Sequence, residues 1–600
     1  MLPLLALLAC APHSAPSTPA PVVAAAPFDS GAHDGVVNPT LAALLDDHWE
    51  AALRDTPRFA SDLGDRRYDA LLANTFPDEH RRQAAQRVGF LARAKAIEPT
   101  TLSASDRLTW QLFTGQLTAE RDLEVCKLPS WALLPRDNPI TTLGWLAELR
   151  PLASEADIEA LEARYRAFQP YVTGQVVSLR EGARAGRFAN AESTQRVLQM
   201  VRDQLAQPAE AWSAVTAVSF APGAVSAERE LNARASFALA LDQRARPALM
   251  AYADFLEAEV LPHARGGAKE GLHALSPDGQ ACYDALIRYH TSLDVDAETL
   301  HQRGLDELER VHAELRVVGQ RVYGTDDLPT IFERLRTDPA LHFKDADAIE
   351  AKAQASLAKA RAALPAWFGR LPKTECVVRR IPDHEAPYTT VAYYRPPAQD
   401  GSRPGEYRVN VYEPTTRPRH EAQVLAFHES IPGHHLQIAI GQELPAIPAF
   451  RRLADQTAFV EGWALYSERL ADEMGLYDGD LDRLGMLAFD AWRAGRLVVD
   501  TGVHHDGWTR SQAVRFLHEN TPLADNNIGN EVDRYISWPG QALAYKTGQL
   551  ELLKLRAEAE TALGDDFDVR AFHDVVLGSG AVTLPILDEQ VRAWVSEQGK

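Results

Sequence analysis

The 600-residue sequence predicts a mainly α-helical fold that contains one small antiparallel β-sheet. Two observations support this fold class. Between Asn38 and Leu371, apolar residues recur every three or four positions, which is the spacing of amphipathic helices. Between Thr374 and Tyr412, three short runs of β-branched and aromatic residues are separated by Pro, Gly and Asp, as is typical of strands joined by turns.

The N-terminus predicts an exported protein. Residues 1–10 form an apolar run, too short to span a bilayer, that ends in Leu-Leu-Ala-Cys. This ending resembles a bacterial lipoprotein signal in which Cys10 would carry lipid, although the usual basic region is absent before Leu4. The Ala- and Pro-rich residues 11–36 are expected to form a tether, with an ordinary unstructured N-terminus as the alternative. We therefore expect a periplasmic or membrane-anchored lipoprotein.

Residues 37–373 are predicted to form a helical N-terminal part. Asn38 precedes Pro39, and proline is favoured in the first helical turn, so a first helix is expected to run through residues 41–49. The remaining predicted helices share apolar periodicity and cover residues 105–124, 155–183, 191–205, 227–260, 297–322 and 346–368.

Residues 374–600 are predicted to form a second, functional part that begins with the sheet. The predicted strands cover residues 375–381, 388–394 and 406–412. The helix that carries the most unusual motif of the chain is expected to begin around residues 418–421.

Charge and cysteine content exclude several classes of protein. The 62 basic and 83 acidic residues give a net charge of −21, which disfavours nucleic acid and anionic membrane surfaces as partners. After Cys10 the cysteines are Cys126, Cys282 and Cys376, which allow at most one disulfide. The chain is therefore not a disulfide-stapled scaffold, and no later segment reaches the length of a membrane span.

Three imidazoles and a carboxylate lie within the eight residues from His428 to His435. Zinc binds imidazole nitrogen at about 2.0–2.1 Å, and a neighbouring carboxylate can accept a proton from water. In the common zinc motif two histidines lie four residues apart on one helix, with Glu after the first as general base. Here Glu429 follows His428, but the fourth position is Pro432.

This spacing predicts a broken helix. On an unbroken helix, His434 would point about 120° away from His428, and His435 would lie about 10 Å farther along the axis. We therefore predict an interruption at Pro432 and Gly433, where glycine supplies backbone freedom, so that a following histidine returns toward His428. An incidental histidine cluster on a surface helix is the alternative.

The run from His428 to Gln437 resembles the signature of bacterial proteins grouped as domain of unknown function 885. That group looks like a branch of the thermolysin-like metallopeptidases, or zincins. The resemblance implies a mainly helical zincin-like fold, a small sheet beside the active-site helix, a deep channel and zinc-dependent peptidase activity. It favours His428 and His434 as metal ligands, with His435 as the alternative second ligand.

A third ligand is predicted at Glu461, 27 residues after His434. Its neighbours Phe459 and Trp463 are apolar, and a buried unpaired carboxylate is costly, so a metal would satisfy it. The separation is roughly that between ligands in related helical zincins. Glu468 shares the face of Glu461, two turns later, and is expected either to support the metal site or to form an ordinary surface ion pair.

Two later stretches also resemble the family and supply donors for a reacting carbonyl. Amide hydrolysis builds negative charge on the carbonyl oxygen, which a Tyr, His or Arg donor stabilises. The candidates are Tyr545, Tyr535, Arg534 and His504, each of which has a structural hydrogen-bonding role as its alternative.

Taken together, these residues predict a zinc metallopeptidase with Glu429 as the general base. The family resemblance implies that it hydrolyses short peptides or peptide termini. One alternative is an exported metal-binding lipoprotein without turnover. Another is a zinc amidase or esterase. The sequence does not predict the direction of cleavage or the oligomeric state.

Overall fold

The computed structural model describes residues 30–275, 277–382, 386, 390–398, 403–454 and 456–598. Most of these residues are helical, which confirms the mainly α-helical prediction. Cys10, the tether up to residue 29 and Tyr388 of the second predicted strand lie outside the described residues.

Within the described residues, fourteen α-helices precede the sheet. Their bounds are α1 Pro39–Asp55, α2 Pro57–Asp62, α3 Pro77–Lys95, α4 Ala104–Asp122, α5 Pro139–Glu148, α6 Glu155–Arg184, α7 Ala191–Leu205, α8 Ser213–Thr216, α9 Ala227–Ala240, α10 Arg246–Phe255, α11 Gly279–Thr291, α12 Ala297–Tyr323, α13 Leu328–Thr337 and α14 Ala346–Trp367. The predicted helices lie close to these bounds. The predicted helix 227–260 contains α9 and α10, each followed by one π-helical turn.

Ten more α-helices follow the sheet. Their bounds are α15 Ala422–Glu429, α16 His434–Gln442, α17 Ala449–Arg452, α18 Thr457–Glu473, α19 Asp480–His504, α20 Arg510–Asn520, α21 Asp525–Ser537, α22 Ala544–Leu563, α23 Val569–Leu577 and α24 Leu584–Gln598. No helix of the described part is long and apolar enough to cross a membrane.

The sheet is mixed, which corrects the prediction of an antiparallel sheet. Its strands are β1 Cys376–Arg380, β2 Ala392–Arg395 and β3 Gly405–Val409, in the spatial order β1-β3-β2. β2 and β3 pair antiparallel, whereas β1 and β3 run parallel. The prediction assumed that successive strands pair. Instead, β3 lies between β1 and β2, so β1 and β2 are the two edge strands.

Helix α19 forms the centre of the C-terminal part. Every residue from Leu484 to His504 is buried, so the helix is surrounded by protein on all sides. It packs along α12, where Gly304 permits close approach because a methyl group there would overlap the side chain of Val498. Buried polar residues recur along α19 every three or four positions, and they lie on neighbouring turns of one helix.

The apolar core joins both halves of the chain. The largest cluster extends from Ala32 to Val591 and includes the helices around the histidine motif. A second cluster, from Leu133 to Val260, stabilises the helices of the N-terminal part. Cys126 and Cys282 form a disulfide, in agreement with the predicted maximum of one, and Cys376 is a buried free thiol. The proposed division near residue 373 stays a prediction.

Candidate metal centre

The motif helix is interrupted at the predicted position. α15 ends at Glu429 and α16 begins at His434, and the turn between them contains a cis peptide bond before Pro432. Gly433 packs so tightly that a side chain there would overlap the carbonyl oxygens of His428 and Phe427. The turn is therefore open only to a residue without a Cβ atom.

The interruption brings His434 next to His428 and Glu461. The two imidazole centroids are 4.8 Å apart. Oε2 of Glu461 lies 3.5 Å from Nε2 of His434 and 3.7 Å from Nε2 of His428. One ligand atom from each residue lies within 4.8 Å of the others. In a tetrahedral zinc site neighbouring ligand atoms are about 3.4 Å apart, so this donor set fits zinc with little movement.

Glu468 contacts the ring nitrogen of His428 that faces away from Glu461. Its Oε1 atom is 2.8 Å from Nδ1 of His428, and the residue is only 1% exposed. The alternative prediction of a surface ion pair is therefore wrong. A carboxylate on the far nitrogen fixes the tautomer of an imidazole and turns its Nε2 toward a metal.

His435 points away from this group and toward the sheet. Its Nδ1 atom is 3.0 Å from the hydroxyl of Tyr394 on β2, and its Nε2 atom is 3.0 Å from the carbonyl oxygen of Thr374. Both ring nitrogens therefore have protein partners. Burial lowers the pKa of His435 to about 4, which keeps the ring neutral. The residue links the motif helix to the sheet.

Opposite charges stabilise the triad. Burial alone would lower the pKa of His428, but the neighbouring carboxylates of Glu461 and Glu468 raise it to about 9. Burial alone would raise the pKa of Glu461, but the two histidines hold it well below its ordinary value. A cation can replace the imidazole protons, since a metal requires neutral imidazole and its binding releases protons.

Glu429 is the last residue of α15 and is half-buried. Its negative charge adds to burial in raising the pKa of Tyr407 on β3. It also follows His428 directly, and its charge acts on that imidazole. A carboxylate beside one metal ligand is in the place expected of a general base.

Two of the four predicted donors are fully engaged by the protein. The Tyr535 hydroxyl accepts hydrogen bonds from Trp492 at 2.9 Å and from Arg496 at 3.0 Å. His504 accepts from the amide of Leu272 at 3.1 Å, and its other nitrogen is 2.9 Å from the carbonyl oxygen of Tyr535. These contacts give both residues hydrogen-bonding roles within the fold, and their catalytic roles stay predictions.

Tyr545 keeps a proton to donate, whereas Arg534 already donates to Glu531, to Gln541 and to Tyr545. The Tyr545 hydroxyl accepts a hydrogen bond from Arg534 at 3.3 Å, so its own proton is free to be donated elsewhere. Tyr545 lies in the first turn of α22, the helix that packs against α18, where Gly462 meets Gly548. The carrier helices of Glu461 and Tyr545 are thus in direct contact.

Among the residues that connect these groups, Arg493 was not singled out from the sequence. Arg493 on α19 has Nη2 3.6 Å from Oε1 of Glu468, and Arg496 donates to Glu531 at 3.0 Å. Two arginines three residues apart in an otherwise apolar helix were the available signal. Such charges inside a buried helix need partners.

A cavity of about 760 Å³ lies beside the start of α18. Its walls include His48, Trp110, Tyr289, Phe450 and Gln456. None of the triad residues lines it. The deep channel implied by the family resemblance therefore stays a prediction.

The fold matches known crystal structures along nearly the whole chain. The "putative lipoprotein" from Colwellia psychrerythraea is 25% identical, with a TM-score of 0.85, and the match covers 93% of this chain and 99% of that one. A "putative lipoprotein of unknown function" from Shewanella oneidensis shares the fold at 19% identity, with a TM-score of 0.70, and the match covers 92% and 98% of the two chains. No curated protein matches the sequence.

The family resemblance seen in the histidine motif extends far beyond it. The model of the family described as "Bacterial protein of unknown function (DUF885)" matches residues 57–591. This range includes the sheet, the triad, Glu468 and the arginine-bearing helices. The chain therefore belongs to the DUF885 family of bacterial proteins.

Proposed function

We propose that this protein is a zinc-dependent metallopeptidase of the zincin type. The observation that carries the proposal is the convergence of His428, His434 and Glu461, with Glu429 directly after the first histidine. Two imidazoles and one carboxylate form a common ligand set of catalytic zinc, which leaves one coordination position for water or substrate. The side chains of His434 and Glu461 are 11% and 18% exposed, so the triad can be reached from solvent.

Each residue of the site has a defined task. Bound zinc would polarise water and the scissile carbonyl group. Glu429 accepts a proton as the water oxygen bonds to the carbonyl carbon, and it returns the proton to the amine nitrogen as the C–N bond breaks. Tyr545 donates its free hydroxyl proton toward the carbonyl oxygen, on which negative charge develops. Glu468 keeps His428 oriented.

The family resemblance carries the proposed substrate class. A helical zincin with a deep channel admits short peptides or peptide termini more readily than folded proteins. We also propose that the protein is exported and anchored by lipid on Cys10, in line with the lipoprotein descriptions of its structural relatives. Labelling with palmitate should mark the wild type but not Cys10→Ser, and equal absence of label would rule out the anchor.

An exported metal-binding lipoprotein without turnover is the second candidate. Its difficulty is Glu429, because a purely structural site needs no general base and commonly closes its coordination with a fourth protein ligand. A zinc amidase or esterase would use the same residues on a different bond. The substrate, not the triad, separates that class from a peptidase.

A peptide library incubated with the zinc-loaded protein tests the proposal. Wild type should cleave peptides, and Glu429→Gln should retain zinc but lose at least about a hundredfold in kcat/KM. Glu589→Gln, on the exposed face of α24, is the matched control and should behave as wild type. Cleavage by Glu429→Gln at the wild-type rate would reject the proposed base. Absence of cleavage by zinc-loaded wild type would favour the binding protein or another hydrolase.

A further inference from the structure

Four arginines surround Tyr545, close to the triad. Arg493 and Arg496 belong to α19, and Arg534 belongs to α21. The exposed Arg136, from the N-terminal part, lies near enough to Arg534, Arg496 and Tyr545 to interact with them electrostatically. Side chains distant in the sequence therefore concentrate positive charge in one place.

Two carboxylates face these cations at close range. Oε2 of Glu531 accepts from Arg496 at 3.0 Å and from Arg534 at 3.1 Å, so one acidic group is shared by two arginines. Glu468 lies 3.6 Å from Arg493, which is too long for a hydrogen bond, and it is already bonded to His428. Four guanidinium groups thus share two carboxylates, and positive charge remains in excess.

Several of the guanidinium donors have no partner. Nε and Nη1 of Arg493, Nη1 of Arg496 and Nε of Arg534 are buried and make no hydrogen bond in the described part of the chain. Asp500 lies near Arg534, but it accepts hydrogen bonds from Tyr283 and from the amide of Gly540. It is therefore not a partner for the free donors.

Stacking against aromatic rings compensates only part of the free energy that is lost when these guanidinium donors are buried without hydrogen bonds. The guanidinium groups of Arg493 and Arg496 lie 4.3 Å and 4.4 Å from the ring centroid of Trp492, and Arg496 also lies 4.3 Å from that of Tyr545. Such contacts attract a cation but do not neutralise it. Buried positive charge without enough carboxylate partners destabilises a fold, even in a chain whose net charge is −21. It is well suited to an anionic ligand, since Arg recognises carboxylates through paired N–H groups.

The arginine cluster is connected directly to the triad. His428 contacts Glu468 at 2.8 Å, and Arg493 lies 3.6 Å beyond the same carboxylate oxygen. The two groups are therefore separated by a distance comparable to one or two residues of an extended peptide. From Arg493 the cluster continues through Arg496 and Glu531 to Arg534. A substrate whose scissile carbonyl lies at the triad can therefore extend a nearby carboxylate toward the cluster.

We propose that the cluster of Arg136, Arg493, Arg496 and Arg534 binds the terminal carboxylate of a peptide, so that the enzyme removes residues from the carboxyl end. This inference rests on the proposed peptidase function and names its substrate class. Arg136 contacts the carboxylate, and Arg534 does so by exchanging its bond to the neutral amide oxygen of Gln541 for the charged group. The buried Arg493 and Arg496 supply the positive field behind them. The site then selects peptides by their charged end.

Binding and cleavage are tested separately. The zinc-loaded Glu429→Gln protein is titrated calorimetrically with a neutral tripeptide that has a free terminal carboxylate, and with the same tripeptide as its terminal amide. The acid should bind roughly ten- to a hundredfold more tightly, as expected for charge-assisted hydrogen bonds. Equal affinity for the two peptides would overturn the inference.

Arginine variants in the same background locate the carboxylate. Arg534→Gln and Arg136→Gln should each reduce the acid-to-amide ratio toward one. Arg136 is exposed, so this variant keeps the test valid if Arg534→Gln fails to fold. Arg321→Gln breaks only a surface pair with Asp480 and is the matched control, in which the ratio should stay unchanged. If the acid-to-amide affinity ratio stayed at its wild-type value in both variants, the carboxylate would bind somewhere other than the arginine cluster.

Two further outcomes separate this inference from the proposed function. A terminal amide with an acidic side chain that binds as tightly as the free acid would overturn the terminal assignment in favour of side-chain recognition. If wild type cleaved the acid and the amide peptides at equal rates, the peptidase function would be supported and recognition of the terminal carboxylate would be rejected. If the tripeptide acid bound more tightly than its amide but wild type cleaved neither, the anion-binding site would be supported and the peptidase function would be rejected.

Discussion

Oε1 of Glu468 lies 2.8 Å from Nδ1 of His428, while Nε2 of the same imidazole faces Glu461. One histidine therefore joins two acidic residues of α18, which lie two helical turns apart. The arrangement gives the two carboxylates different tasks. In the proposed zinc site, Glu461 would offer an oxygen to the metal, and Glu468 would orient the imidazole that shares it.

Glu468→Gln should weaken zinc binding about 10–100-fold, because the amide no longer supplies a charged acceptor to His428. Glu461→Ala should lose bound zinc altogether, since it removes a metal bond. Competition with a chelator at controlled free zinc measures both. Glu560→Gln, an exposed change on α22, is the control. Full zinc occupancy in Glu461→Ala at low free metal would exclude the third ligand.

The neighbouring histidines should behave differently. His434→Ala should abolish zinc binding, whereas His435→Ala should keep the metal, because both nitrogens of His435 bond to Tyr394 and Thr374. Loss of those two contacts leaves buried polar groups unpaired and should lower the free energy of unfolding by about 1–3 kcal/mol. Metal analysis and denaturant unfolding check the two effects. If both variants retained zinc, the proposed zinc site would be wrong.

The close approach at Gly433 makes this position intolerant of any side chain. Gly433→Ala should misplace His434, because the methyl group would overlap the carbonyl oxygen of His428. We expect loss of zinc binding together with lower stability. Gly89→Ala, where an added methyl meets open space on α3, should instead keep zinc and stabilise the helix by roughly 0.5–1 kcal/mol. Wild-type zinc affinity in Gly433→Ala would mean that the turn can open without moving the ligand.

Local patterns were sufficient to predict eight of the fourteen described α-helices that precede the sheet, and the break in the motif helix. Periodicity located helices such as α7, and the clash between a six-residue histidine spacing and helical geometry required the interruption at Gly433. Helix α3 was not predicted, because it is highly charged and buries only Phe90, Leu91 and Ala94. A weak apolar face gives a weak periodic signal.

Long-range features could not be obtained in this way. The order of the sheet depends on the path between β1 and β2, which strand propensity does not describe. The burial of Glu468 depends on packing among α15, α18 and α19, and the electrostatic interaction of Arg136 with Arg534 joins segments hundreds of residues apart. His504 was a reasonable donor by residue type, yet its partners, Leu272 and the main chain of Tyr535, are known only from the fold.

Asp500 makes the stability of the protein depend on pH. It is fully buried on α19 and accepts a hydrogen bond from Tyr283 at 2.6 Å. Burial raises its pKa from 3.8 to about 7, although the bonds from Tyr283 and Gly540 oppose the shift. Because the folded-state pKa is higher than the unfolded one, the protonated acid favours folding. That stabilisation is complete below about pH 4 and is lost as the pH rises through 7.

Asp500→Asn should remove this pH dependence, since the amide stays neutral and its oxygen can still accept from Tyr283. Relative to the variant, wild type should lose about 2 kcal/mol of unfolding free energy between pH 5.5 and pH 8. Equilibrium urea denaturation of metal-free protein at both pH values measures the difference, and the exposed Asp565→Asn is the control. Because all other groups titrate alike in the two proteins, parallel pH profiles would show that Asp500 is already ionised in the fold.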